Sequence, residues 1–189
     1  CGPVHGEGRA IQTFMHPKNA ALITPGNMED DLALLSDCDW IIEVVLEDLK
    51  IKHATYEKIQ KVRKKGSIVS SNTSTIPLHL LTAPFGDALA ADFLVTHFFN
   101  PPRYMRLLEL VAGDKTRKDA VRDITQFCDV ALGKGVVRCH DTPGFIANRL
   151  GVFWLQAALN EAFNEGISIE TADAVMSKPV GIPKTGVFG

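Results

Sequence analysis

The amino-acid sequence predicts an α/β fold: a doubly wound, mostly parallel sheet followed by part of an all-helical segment. Three observations carry this. Short apolar, β-branched runs alternate with stretches of helical period as far as Cys139. Polar residues capable of chemistry stand directly after several of those runs, where doubly wound sheets bind ligands. Beyond Thr142 the strand formers thin out and only helical spacing remains. The boundary is therefore placed near Thr142, assigning residues 1–141 to the sheet and 142–189 to the helical part.

Taken in order, Cys1 to Pro17 mixes Gly, Pro, His and charge without a period and reads as loop with a short helix. Ala20 to Thr24 is a short apolar run closed by Pro25-Gly26-Asn27, a strand and its turn. Met28 to Leu35 reads as a brief acidic helix. Trp40 to Leu46 is almost wholly apolar and predicts a strand buried on both faces. Asp48 is a good N-cap for a helix that reaches about Lys65 and stops at Gly66. Ser67 to Ser71 is the next strand, and a short helix follows over Pro77 to Leu81. Phe93 to Phe99 and Leu107 to Val111 are strands on either side of a proline-bearing turn. Asp114 or Thr116 caps a helix over Arg117 to Leu132, and Val136 to Cys139 closes the sheet. Phe145 to Glu165 and Ser168 to Ser177 are helices, the second opening on an imperfect capping box with Thr171 where Glu is preferred.

Composition excludes several classes of function. Across 189 residues, 20 Lys+Arg face 22 Asp+Glu, so no basic excess exists to neutralise nucleic-acid phosphates. The longest uncharged stretch, Gly66 to Gly86, carries Ser, Thr, Asn and two prolines and cannot span a membrane. The four cysteines form no C-x-x-C pair and read as reduced thiols, which favours a cytoplasmic protein. No secretory signal is visible.

The chemical residues cluster at strand ends: Glu47, then Ser71-Asn72-Thr73-Ser74, then His97 with Asn100. If the turn after His97 is centred on Arg103, His97 and Glu109 face each other across an antiparallel pair. A carboxylate on one imidazole nitrogen fixes the tautomer and leaves the other nitrogen to accept a proton. The plainer alternative is a core or surface histidine near an unrelated acid. Likewise Ser71 to Ser74 can be a polar turn, Glu47 and Lys52 a solvated helix start, and Asn148 a helix residue facing water. Gly133-Lys134-Gly135 imitates the start of a dinucleotide loop, but Arg138 holds the third glycine's place and a strand follows.

Taken together, these motifs resemble the L-3-hydroxyacyl-CoA dehydrogenase family. The matching stretches are Ile41-Ile42-Glu43-Val44-Val45-Leu46-Glu47-Asp48-Leu49-Lys50-Ile51-Lys52, Ser71 to Ser74, His97-Phe98-Phe99-Asn100-Pro101 with Glu109, and Asp141-Thr142-Pro143-Gly144-Phe145-Ile146-Ala147-Asn148-Arg149. Ile23-Thr24-Pro25-Gly26-Asn27 and Gly181-Ile182-Pro183-Lys184 look closer to the long multifunctional members. The resemblance implies a Rossmann-like sheet, here truncated at its start, and oxidation of a 3-hydroxyacyl-CoA to the 3-ketoacyl-CoA in fatty-acid β-oxidation with NAD as hydride acceptor.

By the same resemblance, His97 is the general base and Glu109 its orienting partner. Ser74 and Asn148 hold the reacting oxygen or the substrate, with Asn100 in support. Glu47, Lys52 and Asn72 line the cofactor, and no metal is needed. The family's glycine-rich first βα turn is expected upstream of Cys1 and most of its helical dimerisation domain beyond Gly189. An acyl-CoA substrate and a homodimer or self-associating chain are the expected partners. The competing reading is a non-catalytic structural or binding member of the same fold.

Overall fold

In the computed structural model, residues 16–181 and 186–188 are described, and the loop and helix expected before Pro17 lie outside them. Five β-branched or apolar runs become strands: β1 Trp40–Glu43, β2 Ile68–Ser71, β3 Phe93–Phe98, β4 Leu107–Ala112 and β5 Gly135–Cys139. They form one sheet in chain order. β1, β2 and β3 run parallel, β4 turns antiparallel to β3, and β5 pairs parallel with β4.

Alternation along the strands splits the core into two layers. Ile41, Val69, Phe93, Val95 and Val111 pack on one face with α1 (Leu49–Val62), α2 (Leu78–Thr82) and α3 (Gly86–Ala90). Ile68, Leu94, Leu108 and Leu110 pack on the other with Ala120, Val121, Ile124 and Cys128 of α4 (Lys118–Val130). Helices on both faces make this the Rossmann-like, mostly parallel arrangement that the sequence predicts. After Cys139 the described residues hold helices and no strand, chiefly α5 (Ala147–Asn164) and α6 (Ile169–Val175). No described helix is long and apolar enough to cross a membrane.

Several local expectations fail for identifiable reasons. The strand expected over Ala20 to Thr24 is a 3-10 turn, Pro17–Leu22, with Pro at its start and the His16 ring accepting from the Lys18 amide. Leu22 is 83% exposed, so no sheet neighbour favours extension there. The acidic helix shrinks to a 3-10 segment, Leu32–Asp37. The strand expected over Trp40 to Leu46 ends at Glu43, with Ile42, Val44 and Leu46 exposed rather than buried. β1 lies at the sheet edge and has a paired neighbour on one side only among the described residues.

One capping expectation also changes, and another holds. α4 starts after Arg117 without a side-chain cap. Thr116 instead accepts the Gly113 amide at 2.9 Å and donates to the Phe93 carbonyl at 2.8 Å, tying the helix entry to the sheet. At α6, Ser168 does cap, accepting from the Thr171 amide at 3.3 Å, and Ser168 Oγ also bonds the Thr171 hydroxyl.

Candidate active site

The site is built where β1, β2 and β3 end together. Because the three are parallel, their carboxyl ends share one edge, and the loops that follow carry Glu47, Ser71 to Ser74 and His97. The reversal into β4 then brings a further residue back to that edge. The register pairs Thr96 with Leu110, His97 with Glu109 and Phe98 with Leu108. The turn that sets it is pinned by Lys134, whose Nζ donates to the Met105 carbonyl at 2.8 Å and also to that of Pro102.

His97 Nδ1 lies 2.8 Å from Glu109 Oε2. The other oxygen, Oε1, accepts from the Ile146 and Ala147 amides at 3.0 and 2.8 Å, at the start of α5. Both carboxylate oxygens are thus committed, one to the ring and the other to the first amides of α5. With an acceptor on Nδ1, the ring proton sits there and Nε2 is left to accept. The imidazole is packed between Phe99 and Phe145, with centroids at 4.5 and 5.7 Å, and is largely buried.

The Ser71 to Thr75 loop is tied from three sides. Glu47 Oε1 accepts from the Ser74 and Thr75 amides, both at 3.2 Å, and from the hydroxyls of Thr73 and Thr75. Asn72 Oδ1 accepts from the Phe98 amide at 2.9 Å, next to His97. The Ser74 carbonyl accepts from the Gly144 amide at 3.1 Å, joining the loop to the segment before α5. Burial of the Glu47 carboxyl would raise its pKa. The Thr73, Thr75 and Lys52 hydrogen bonds and the Lys52 charge outweigh that and hold it down to about 2.

The residues expected in a site are therefore placed unevenly. His97, Glu109, Asn72 and Ser74 are knitted together through β3, β4 and the loop. Asn148 lies on the first turn of α5 and lines a groove with Thr75 and Gly144. Asn100 lies on the exposed turn after β3. Lys52, expected beside a cofactor, is instead 1% exposed, with three carboxylate oxygens of Glu43 and Glu47 within 3.2 Å. An ammonium has three protons, and all three are engaged inside the protein.

Sequence reasoning missed Glu43, Tyr56 and Lys134. The available signal was an acid inside the apolar run Trp40 to Leu46, since a charge in a buried strand needs a partner. The fit to a nicotinamide dinucleotide can be tested on the edge itself. Exposed Val44 and Leu46 form an apolar ledge beside the Glu47 carboxylate and Asn72, apolar wall and polar groups together. These residues fit such a group, and Lys52 lies beside them in the grip of Glu43 and Glu47.

Comparison with known proteins gives the family and the fold. Residues 7–142 match the model of the "3-hydroxyacyl-CoA dehydrogenase, NAD binding domain". The chain is 43% identical over 173 residues to a "Putative fatty acid oxidation complex trifunctional enzyme" of Rickettsia felis, covering 92% of this chain and 24% of that protein. It is 42% identical over 175 residues to a "Probable 3-hydroxyacyl-CoA dehydrogenase" of Deinococcus radiodurans, covering 93% and 51%. Among solved structures, M. tuberculosis FadB2 superposes with a TM-score of 0.73 at 32% identity, over 81% of this chain and 53% of that one. The chain thus spans between a quarter and about half the length of these curated relatives.

Proposed function

This chain belongs to the 3-hydroxyacyl-CoA dehydrogenase family through its NAD-binding domain, and on that premise we propose that its protein oxidises L-3-hydroxyacyl-CoA to 3-ketoacyl-CoA. The observation that carries the reading is the His97–Glu109 pair, with the second Glu109 oxygen anchored on α5. His97 Nε2 takes the proton of the 3-hydroxyl, and Glu109 stabilises the imidazolium that results. Ser74 and Asn148 donate to the reacting oxygen, and Asn100 supports the bound acyl group. Glu47, Asn72 and the ledge of Val44 and Leu46 hold the dinucleotide. Bound NAD supplies the acceptor for the hydride that leaves C3.

Fatty-acid β-oxidation in the cytoplasm is the setting we propose, and a homodimer the assembly. The exposed apolar residues Leu150, Val152 and Phe153 on α5 support association of some kind. The test is a spectrophotometric assay of the full-length protein with acetoacetyl-CoA and NADH. Consumption of NADH that depends on the acyl-CoA is expected. Its absence in a folded, NADH-binding protein would favour the non-catalytic alternative.

A further inference from the structure

Beneath the Ser71 to Thr75 loop lies a buried polar cluster that the proposed chemistry does not use. Glu43 is 3% exposed, Lys52 1%, and Tyr56, Ser71 and Thr73 are fully enclosed. Glu43 Oε1 accepts from the Val45 amide at 2.7 Å and from Lys52 Nζ at 2.9 Å. Its Oε2 accepts from Lys52 at 3.1 Å, from the Tyr56 hydroxyl at 2.5 Å and from the Ser71 hydroxyl at 2.7 Å. Burial, and then the bond to Glu43, push the Tyr56 hydroxyl upward, so it stays a neutral donor.

Burying such charges costs more than packing apolar residues of similar volume, so stability alone gives no reason for them. The bonds run in one direction. Tyr56 and Ser71 hold Glu43, Glu43 holds Lys52, and Lys52 reaches Glu47 Oε2 at 3.2 Å. Glu47 then spends its other oxygen on the loop amides of Ser74 and Thr75.

We propose that Glu43 and Tyr56 are positioning residues of the dehydrogenase site, acting through Lys52 and Glu47 to fix the loop that presents the Ser74 hydroxyl. This rests on the reading of Ser74 given above. In Glu43→Gln the side chain must turn an NH2 towards donors on either side, since both carboxylate oxygens accept. Lys52 then keeps at most one bond to this side chain and no opposite charge there, so Glu47 becomes its sole anionic partner and is drawn away from the loop. Tyr56→Phe removes a single donor and has the same effect in milder form.

Two measurements on the full-length protein test this. The first is amide hydrogen exchange. Glu43→Gln should speed exchange at Ser74 and Thr75 by about tenfold or more, the worth of a bond to a charged group, while the amides of α4 keep their rates. The second is a double-mutant cycle. Glu43→Gln should lower kcat by about tenfold in the parent, but by less than about twofold in a Ser74→Ala background.

Equal losses in both backgrounds overturn the proposal. So do unaltered exchange at Ser74 and Thr75, or a Ser74→Ala variant with parental kcat. Should Glu43→Gln fail to fold, Tyr56→Phe is carried through the same two measurements and judged by the same pattern. His97→Ala, assayed alongside, separates the two readings. Activity surviving that change refutes the reading of the catalytic site on which the proposal rests, whereas its loss together with an additive cycle refutes only the positioning role.

Discussion

Replacing Glu109 by Gln tests the site most sharply, because the carboxylate is used at both ends. Oε2 accepts from His97 Nδ1 at 2.8 Å, and Oε1 accepts from the Ile146 and Ala147 amides at 3.0 and 2.8 Å. An amide has one oxygen and one NH2, so it satisfies only one of these ends. With NH2 towards α5, two backbone donors lose their acceptor, at about 1–3 kcal/mol each for a buried group. The cheaper orientation keeps the oxygen on α5 and points NH2 at His97. Nδ1 must then accept, the ring proton moves to Nε2, and the nitrogen that should take the hydroxyl proton is blocked.

The expected loss in kcat is that of general-base catalysis, ~10²–10⁴, equivalent to about 3–5 kcal/mol of barrier. Steady-state rates with acetoacetyl-CoA and NADH on the full-length enzyme supply the number, with thermal unfolding confirming an intact fold. Glu109→Gln combined with His97→Ala should be no slower than His97→Ala alone, since both act through one proton transfer. A folded Glu109→Gln enzyme within about twofold of the parental kcat would refute the reasoning.

His97→Ala should lower kcat by ~10²–10⁴ while leaving NADH affinity nearly unaltered; a variant keeping more than half the parental kcat removes His97 as the base. Glu47 titrates at about 2 rather than 4.5. Its folded form therefore binds fewer protons than its unfolded form between those values. The stability it contributes is complete above pH 4.5 and is lost as pH falls towards 2. Its side chain is 37% exposed, so solvent screening discounts the effect. Wild type should exceed Glu47→Gln by only about 1 kcal/mol at neutral pH, the gap closing in acid. Chemical unfolding at several pH values shows whether that gap closes. The 189-residue polypeptide should self-associate, because Leu150, Val152, Phe153 and Phe163 of α5 stand 63% to 73% exposed. Sedimentation showing only monomer at high concentration counts against this.

What could be read in the sequence was what depends on near neighbours. The strands β2 to β5 and the helices α1, α4 and α5 follow from runs and periods of apolar residues. The facing of His97 and Glu109 follows from one short turn, since an antiparallel register is fixed once the turn centre is known. Trp40 to Leu46 misled because apolar, β-branched residues mark a strand's composition but not where its ladder ends. Pairing with β2 stops at Glu43, and Val44 and Leu46 are left on the exposed edge. The reading of Lys52 as part of a solvated helix start fails in the opposite sense, since it is buried. In Lys50-Ile51-Lys52 nothing local separates a solvated lysine from one enclosed by two acids. Its burial depends on Glu43 arriving from β1 nine residues earlier and on Tyr56 one helical turn later.

The departure from parallel winding is what assembles the site. Had β4 continued the parallel pattern, the chain after His97 would have crossed the sheet and begun its next strand at the opposite edge, with Glu109 far from the imidazole. The antiparallel turn brings a residue twelve positions later back beside His97. It also leaves the Glu109 carboxylate open on its far side to the first amides of α5. The helical segment thereby joins the candidate site without donating a side chain to the pair: its first amides hold Glu109, which holds His97. Gly144 completes the link, because its amide holds the Ser74 carbonyl just before α5 begins. A displacement of α5 by an ångström would disturb the His97 tautomer and the Ser74 loop together. The two halves of the site are therefore expected to fail as a unit, with losses from α5-entry variants that do not add to those from His97.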